Sequence, residues 1–322
     1  MSPAGSFARD NAVAFRLVVL EIWDPMSPRR FAVIGSPVAH SASPAMHRAA
    51  FAARGLPHGY EAAECRDELA VKAAVGLLRN GTLAGINVTA PWKRSVLAYV
   101  DSLAPSAAAV SAANTLVREG DHVVAHNTDV PALVAELRRL EPRELGTAAI
   151  LGAGGAAAAA LAACRELGVR VVAMTTRSFA TSEDLHESEV AVSLRDAGAL
   201  TVLWPSDAPP DTSNASMALR LQWNDLVAGA DVIIQATSAR DDAPTRALPW
   251  TRVKPSAVLL DLVYWPMETP FLAAARARGL RADNGVGMLV KQGALAFERW
   301  LGVAPDAAAM RDAVLRHLGA RG

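Results

Sequence analysis

TAAILGAGGAAAAALAACRELG, Thr147 to Gly168, is the stretch that decides the fold of this 322-residue chain. An apolar strand pattern runs into a glycine turn, and an alanine-rich helix pattern follows and stops at Gly168. Gly152, Gly154 and Ala157 fit the spacing G-x-G-x-x-G/A in the strand, turn and helix context that this fingerprint requires. Glycines there let the backbone approach a pyrophosphate, which the unpaired N–H groups of a helix start can hold. The plainer alternative is a tight βα turn, because the third glycine is an alanine. Gly152, Ala153, Gly154, Gly155 and Ala156 are the candidate dinucleotide contacts.

Downstream, the strand pattern VRVVAMTTR ends in Thr176, Arg177 and Ser178. An NAD-binding unit usually carries an acidic residue there for the ribose diol, whereas an arginine with two hydroxyls suits a 2′-phosphate and favours NADP. LVAGADVIIQATS gives a helix end and a strand running into Thr237 and Ser238, and SAVLLDLVYWP gives a strand ending near Tyr264. Both ends are expected to point toward the dinucleotide. After a helix ending near Gly279, ADNGVGMLVKQGALAFERWLG reads as a helix preceded by glycines. Lys291 and Gln292 are adjacent on it, about 100° apart, so only one can face a cleft squarely. A final amphipathic helix spans Asp306 to Leu318, and the Pro, Ser and Asp-rich residues 205–216 read as a surface loop without chemistry.

Upstream, RFAVIG reads as a buried strand ending at Gly35, and SPVAHSASPAMHRAAFAARG as a turn and a helix. Ser43 before Pro44 has the form of an N-cap and first helical residue, and Gly55 supplies the stop. Ser41, Ser43 and His40 ahead of a helix N-terminus also suit a carboxylate, since the N–H groups there are unpaired and the dipole is favourable. LAGINVTAPWKRSVLAYV gives strand, loop and helix, with Pro91 as a helix start. Within it, Gly85 to Lys93 concentrates Asn87, Thr89 and Lys93. Of the 32 Lys plus Arg residues, four are lysines: Lys72, Lys93, Lys254 and Lys291. Lysine can be tuned to release its proton and arginine cannot, so Lys93 is a candidate proton donor. The alternative is a solvated lysine in the first turn of a helix. AANTLV contributes Asn114, and HVVAHNTD a strand and Asp129, followed by a helix pattern from Val130 to Leu140. Taken alone, Asp129 reads as an N-cap and Asn114 as a turn residue. The βαβα alternation predicts a mostly parallel sheet with ligands beyond the carboxyl ends of its strands, where SPVAHSAS and NVTAPWK both fall.

At 52% hydrophobic, the chain can bury a sizeable core and is long enough for about two domains. Thirty-two acidic and 32 basic residues cancel without a long single-sign block, which indicates neither nucleic acid nor an anionic membrane as partner. A small polar molecule is the expected partner. Cys65 and Cys164 lie far apart without metal-ligand spacing, so no metal or disulfide is expected, and a reducing compartment, the cytoplasm, is the default. The uncharged run Ala148 to Cys164 is built of Ala and Gly and falls short of the ~20 residues of a membrane span. Residues 1–28 form an extension without a clear repeat, and Arg16 and Glu21 interrupt its apolar piece, which does not fit a signal peptide.

With GSPVAHSASPAMH, GINVTAPWK, AANT, NTD, LGAGGA, TTRS, ATS, DLVYWPMETP and GMLVKQGALAF in order from Gly35 to Phe297, the chain resembles the shikimate dehydrogenase family. That family includes quinate/shikimate and aminoshikimate dehydrogenases. The resemblance implies an α/β fold with an N-terminal substrate-binding domain over 29–129, a Rossmann NADP domain over 130–284, and helices over 285–322 that return to the first domain. It implies that Ser41 and Ser43 hold the substrate carboxylate, and that Asn87, Thr89, Asn114, Asp129 and Gln292 contact its hydroxyls. Lys93 and Asp129 become the catalytic pair, Tyr264 joins the substrate side and Gly285 the cofactor side. Gln292 is thereby chosen over Lys291.

The implied reaction is reversible, NADP-dependent reduction of 3-dehydroshikimate to shikimate, and the alternative is quinate or aminoshikimate as substrate with NAD or NADP as cofactor. A non-catalytic protein that has kept the fold is a rival of another class. The presence of both Lys93 and Asp129 counts against it. A monomer and a homodimer both fit. Some places depart from the family pattern. Thr176 replaces the asparagine before the cofactor arginine, a second arginine after Arg177 is missing, NATSxG appears as QATSAR with Gln235 and Arg240, and NTDxxG as NTDVPA. These changes lie mostly on the nucleotide side.

Overall fold

The computed structural model describes residues 27–140, 145–205 and 222–320. Residues 1–26 of the N-terminal extension and 206–216 of the Pro/Ser/Asp-rich loop lie outside the described residues.

The first sheet has six strands, β1 (Arg30–Gly35), β2 (Gly59–Glu64), β3 (Gly85–Val88), β4 (Ser102–Leu103), β5 (Thr115–Glu119) and β6 (His122–His126), in the order β2-β1-β3-β5-β6-β4. Helices α1 (Ser43–Ala53), α2 (Glu68–Arg79) and α3 (Pro105–Ala108) connect them, and α4 (Asp129–Arg139) leaves the sheet. Five strands share one direction and β5 opposes its neighbours β3 and β6. The reversal has a local cause. Gly120 and Asp121 alone join β5 to β6, Gly120 has φ +67°, and a two-residue connection closes only an antiparallel pair.

The second sheet is wholly parallel: β7 (Thr147–Leu151), β8 (Arg170–Thr175), β9 (Val232–Gln235), β10 (Val258–Asp261) and β11 (Arg281–Asp283), ordered β11-β10-β9-β7-β8. A parallel bridge from Met174 to Thr201 adds a sixth position outside β8. Counted along the chain the order is 3-2-1-4-5-6, the doubly wound arrangement, whose reversal between β7 and β9 marks the ligand crevice. Around this sheet lie α5 (Gly155–Glu166), α6 (Ser182–Glu187), α7 (Glu189–Asp196), α8 (222–228), α9 (Ala243–Arg246) and α10 (Pro270–Arg276). Ala157, Ala159, Ala160 and Ala163 of α5 are fully buried in one cluster with Ile150 and Ile234, and such small side chains let the helix lie close on the sheet.

Helices α11 (Val286–Leu301) and α12 (Ala307–Gly319) return to the first sheet, as the family resemblance implied. Phe297, Met310 and Val314 from these helices share a buried cluster with Phe31, Met46 and Phe51. Gly85 makes this docking sterically feasible. A Cβ there would stand 2.4 Å from Trp300 Nε1, which instead donates to Leu116 O at 3.0 Å.

Three local expectations change. Ser43 is the first residue inside α1, and Ser41 Oγ accepts its N–H at 3.2 Å. Pro91 starts no helix: it follows a cis peptide bond in a turn, and the next helical piece is a 3₁₀ turn at Ser95–Tyr99. β10 stops at Asp261, short of Tyr264, because the Asp261 carboxylate accepts the Val263 N–H at 2.9 Å and the Thr269 hydroxyl at 2.6 Å, which bends the chain away from the sheet.

Candidate active site

The polar residues of the first sheet are fixed from below. His47 is fully buried and stacked on Tyr60, ring centroids 4.3 Å apart and nearly parallel at 7°. Burial drives the His47 imidazole down to about 3, so it is neutral, and burial raises the Tyr60 phenol, so it keeps its proton. Tyr60 donates that proton to Asn87 Oδ1 at 2.6 Å. Asn87 Nδ2 in turn donates to Asn114 O and to Thr115 Oγ1, both at 3.1 Å. The amide is therefore held on both sides. Thr89 follows at the strand end, and a Cβ on Gly35 would come within 2.3 Å of its Cγ2.

Lys93 Nζ lies 2.6 Å from Asp129 Oδ2, with the lysine side chain 18% exposed and the aspartate 3%. Asp129 Oδ1 accepts from Asn114 Nδ2 at 2.8 Å. The same Nδ2 lies 2.9 Å from Thr128 Oγ1 and 3.2 Å from Gln292 Oε1. Asn114 Oδ1 accepts the Thr128 N–H at 2.7 Å, so this amide ties the Asp129 loop to α11. Lys291 points outward and is exposed.

Asp129 is the first residue of α4, after the N-cap Thr128, and the residue before that cap takes the first N–H groups of the helix. Asn127 Oδ1 accepts the N–H groups of Asp129 and Val130 at 3.0 and 3.2 Å, and Asn127 Nδ2 donates to Ala112 O at 3.0 Å. Asn127 was missed in the sequence. Its signal was present, a cap-type residue ahead of a helix beginning with an acid.

On the nucleotide side, Gly152 has φ +126° and a Cβ there would lie 2.8 Å from the Ala236 carbonyl carbon, so this turn needs glycine. Gly154 faces open space and puts no side-chain cap on α5. The first N–H groups of that helix are thus available to an anion, as a pyrophosphate requires. A Cβ on Gly155 would stand 3.1 Å from Lys93 Cδ, so the lysine stem rests on the first residue of α5. The two sheets meet at the turn and the lysine. Thr176, Arg177 and Ser178 follow β8, and Thr237 and Ser238 follow β9. Gln235, the departure from the family asparagine, is fully buried and shapes the second of these loops: its Oε1 accepts the Thr237 N–H at 2.6 Å and its Nε2 donates to Ala239 O at 3.3 Å. Gly285 is the N-cap of α11, and its N–H donates to Val263 O at 3.1 Å. Tyr264 packs against the cluster that contains Met46 and Val290. Among the described residues no group of His, Cys, Asp and Glu could hold a metal ion, and no helix is long and apolar enough to cross a membrane.

Residues 33–116 match the shikimate dehydrogenase substrate binding domain, and residues 285–315 match the shikimate 5′-dehydrogenase C-terminal domain. Shikimate dehydrogenase (NADP(+)) of Symbiobacterium thermophilum is 38% identical over 294 residues, covering 90% of this chain and 95% of the relative. The chain belongs to the shikimate dehydrogenase family. It is accordingly an NAD(P)-dependent oxidoreductase acting on CH–OH groups. The crystal structure of shikimate 5-dehydrogenase from Thermus thermophilus, in complex with NADP(H) and shikimate, is similar at a TM-score of 0.73 and 32% identity, over 90% of this chain and 100% of that one. Quinate dehydrogenase from Corynebacterium glutamicum, in complex with NAD, is similar at a TM-score of 0.74 and 25% identity, over 90% and 99%.

Proposed function

We propose that this chain catalyses the reversible, NADP-dependent reduction of 3-dehydroshikimate to shikimate, with Lys93 and Asp129 as its acid–base pair. The observation that carries the reading is the position of Lys93, whose ammonium lies 2.6 Å from Asp129 while its stem rests against Gly155 of the dinucleotide turn. That position supports a proton donor between the polar residues of the first sheet and the turn beside which a hydride donor would lie.

Bound NADPH supplies the hydride. As the ketone oxygen gains negative charge, Lys93 gives it a proton, and in the reverse direction Lys93 takes the proton from the alcohol. Asp129 orients the ammonium and accepts from the hydroxyl next to the reacting carbon. Ser41 and Ser43 hold the carboxylate at the start of α1, while Asn87, Thr89, Asn114 and Gln292 receive the remaining hydroxyls, with Tyr264 at the edge. Gly152 to Ala156, Thr176, Arg177, Ser178, Thr237, Ser238 and Gly285 hold the cofactor. Holding two reactants in one cleft contributes as much as the proton transfer.

Residues 29–129 act as the substrate domain, 130–284 as the nucleotide domain and 285–322 as the helices that join them. All of these residues come from one chain, so a monomer or a homodimer would serve. Two free, buried thiols, Cys65 and Cys164, support a cytoplasmic setting.

Steady-state assays with shikimate and quinate, each with NADP+ and NAD+, test the assignment. The highest kcat/KM is expected for shikimate with NADP+. A higher value for quinate would move the chain to quinate dehydrogenase, and calorimetric binding of shikimate without turnover with either cofactor would mark a binding protein.

A further inference from the structure

We propose that Asp241 is a specificity-determining residue that narrows the preference of this chain for NADP over NAD, by holding a carboxylate against Arg177 where a 2′-phosphate would sit. The assignment rests on the dinucleotide reading above. Arg177 follows β8 and Asp241 lies in the loop after β9, yet Arg177 Nη1 and Asp241 Oδ2 are 3.8 Å apart. The carboxylate is anchored, since Asp241 Oδ1 accepts the Ala243 N–H at 3.0 Å at the start of α9. The other charged residues of the loop face elsewhere. Asp242 pairs with Arg246 one helical turn on, and the Arg240 guanidinium lies 5.0 Å over the Trp265 ring.

A phosphate approaching Arg177 therefore meets a negative charge that already occupies part of the guanidinium. Arg177 and Asp241 are 54% and 58% exposed, so water and salt weaken the repulsion without abolishing it. With NAD the relation reverses, because a carboxylate can accept a hydrogen bond from the free ribose hydroxyl. One acid thus acts against NADP and toward NAD.

Isothermal titration of NADP+ and NAD+ into the full-length protein and its Asp241→Asn variant provides the test. The substitution keeps Oδ1 for the Ala243 N–H and removes the charge. NADP+ should bind roughly fivefold tighter to the variant, NAD+ no tighter than before, and the NADP+ gain should shrink as salt is raised. Asp241→Ser, which keeps an oxygen for the same N–H, must shift the ratio in the same direction. An unchanged ratio of the two dissociation constants in both variants, with NADP+ still bound and turned over by the unaltered protein, overturns the role of Asp241 and leaves the proposed function standing. Failure of the unaltered protein to bind either dinucleotide overturns both.

Discussion

Lys93 Nζ and Asp129 Oδ2 stand 2.6 Å apart although 36 positions separate them in sequence. The lysine comes from a turn after β3 and the aspartate from the first residue of α4, so their meeting depends on β3, β5 and β6 holding their register. A charged pair with one partner almost wholly enclosed is costly to build by chance, because the buried carboxylate needs compensation from both Lys93 and Asn114.

Asp129→Asn keeps the shape and removes the charge beside the ammonium. Since Asp129 is assigned both to Lys93 and to a substrate hydroxyl, turnover should fall by about 10² or more and KM should rise with it. Steady-state kinetics of the variant separate the two, and an unchanged KM would remove the hydroxyl contact from the account.

Asn127→Ala leaves two buried N–H donors at the start of α4 and the Ala112 carbonyl without their partner. A loss of about 1 to 3 kcal/mol of stability is expected, with reduced activity because Asp129 is carried on the same turn. Urea denaturation reads the stability, and a midpoint equal to that of the parent would show that the Asn127 hydrogen bonds do not hold the start of α4.

The glycines of the dinucleotide turn separate folding from binding. A Cβ on Gly154 meets nothing within 4 Å, whereas one on Gly152 collides with the backbone at Ala236. Gly154→Ala should melt like the parent and bind NADP+ more weakly, and Gly152→Ala should lose stability. Calorimetry beside thermal melting checks this, and weakened folding in Gly154→Ala would contradict it.

Burial pushes the Asp261 carboxyl up to about 6, against the pull of the Thr269 and Val263 hydrogen bonds. A carboxyl whose folded pKa is raised favours the folded state while protonated, so its contribution is full below pH ~4 and is lost as pH climbs through about 6. Asp261→Asn has no such loss. Its melting temperature relative to the parent should increase between pH 4.5 and 7, by an amount on the order of 2 kcal/mol in stability. A pH-independent difference would place the carboxyl in the ordinary range.

The nucleotide sheet could be read from the chain because its code is local: strand, glycine turn and helix sit within Thr147 to Gly168, and Gly152 proves to need its glycine. The site residues were legible as strings, but their partners were not. Nothing near Asn87 names Tyr60 as its donor, and nothing near Arg177 names Asp241, since both pairs form only when separate strands align. The hairpin through Gly120 and Asp121 did carry a local signal, a glycine in a two-residue link, which the alternation of strands and helices concealed. Pro91 misled for a related reason, because a proline after a strand fits a helix start and a turn equally well.

The central claim is that Lys93 passes the proton. The direct measurement is the initial rate of NADP+ reduction by shikimate, followed by the absorbance of reduced nicotinamide, in the parent and in Lys93→Ala. The parent should turn over, and the variant should lose about 10² to 10⁴ of kcat while KM and NADP+ binding stay near the parent values, with a lower melting temperature because the buried Asp129 carboxylate loses its partner. Near-parental turnover in Lys93→Ala would contradict the account.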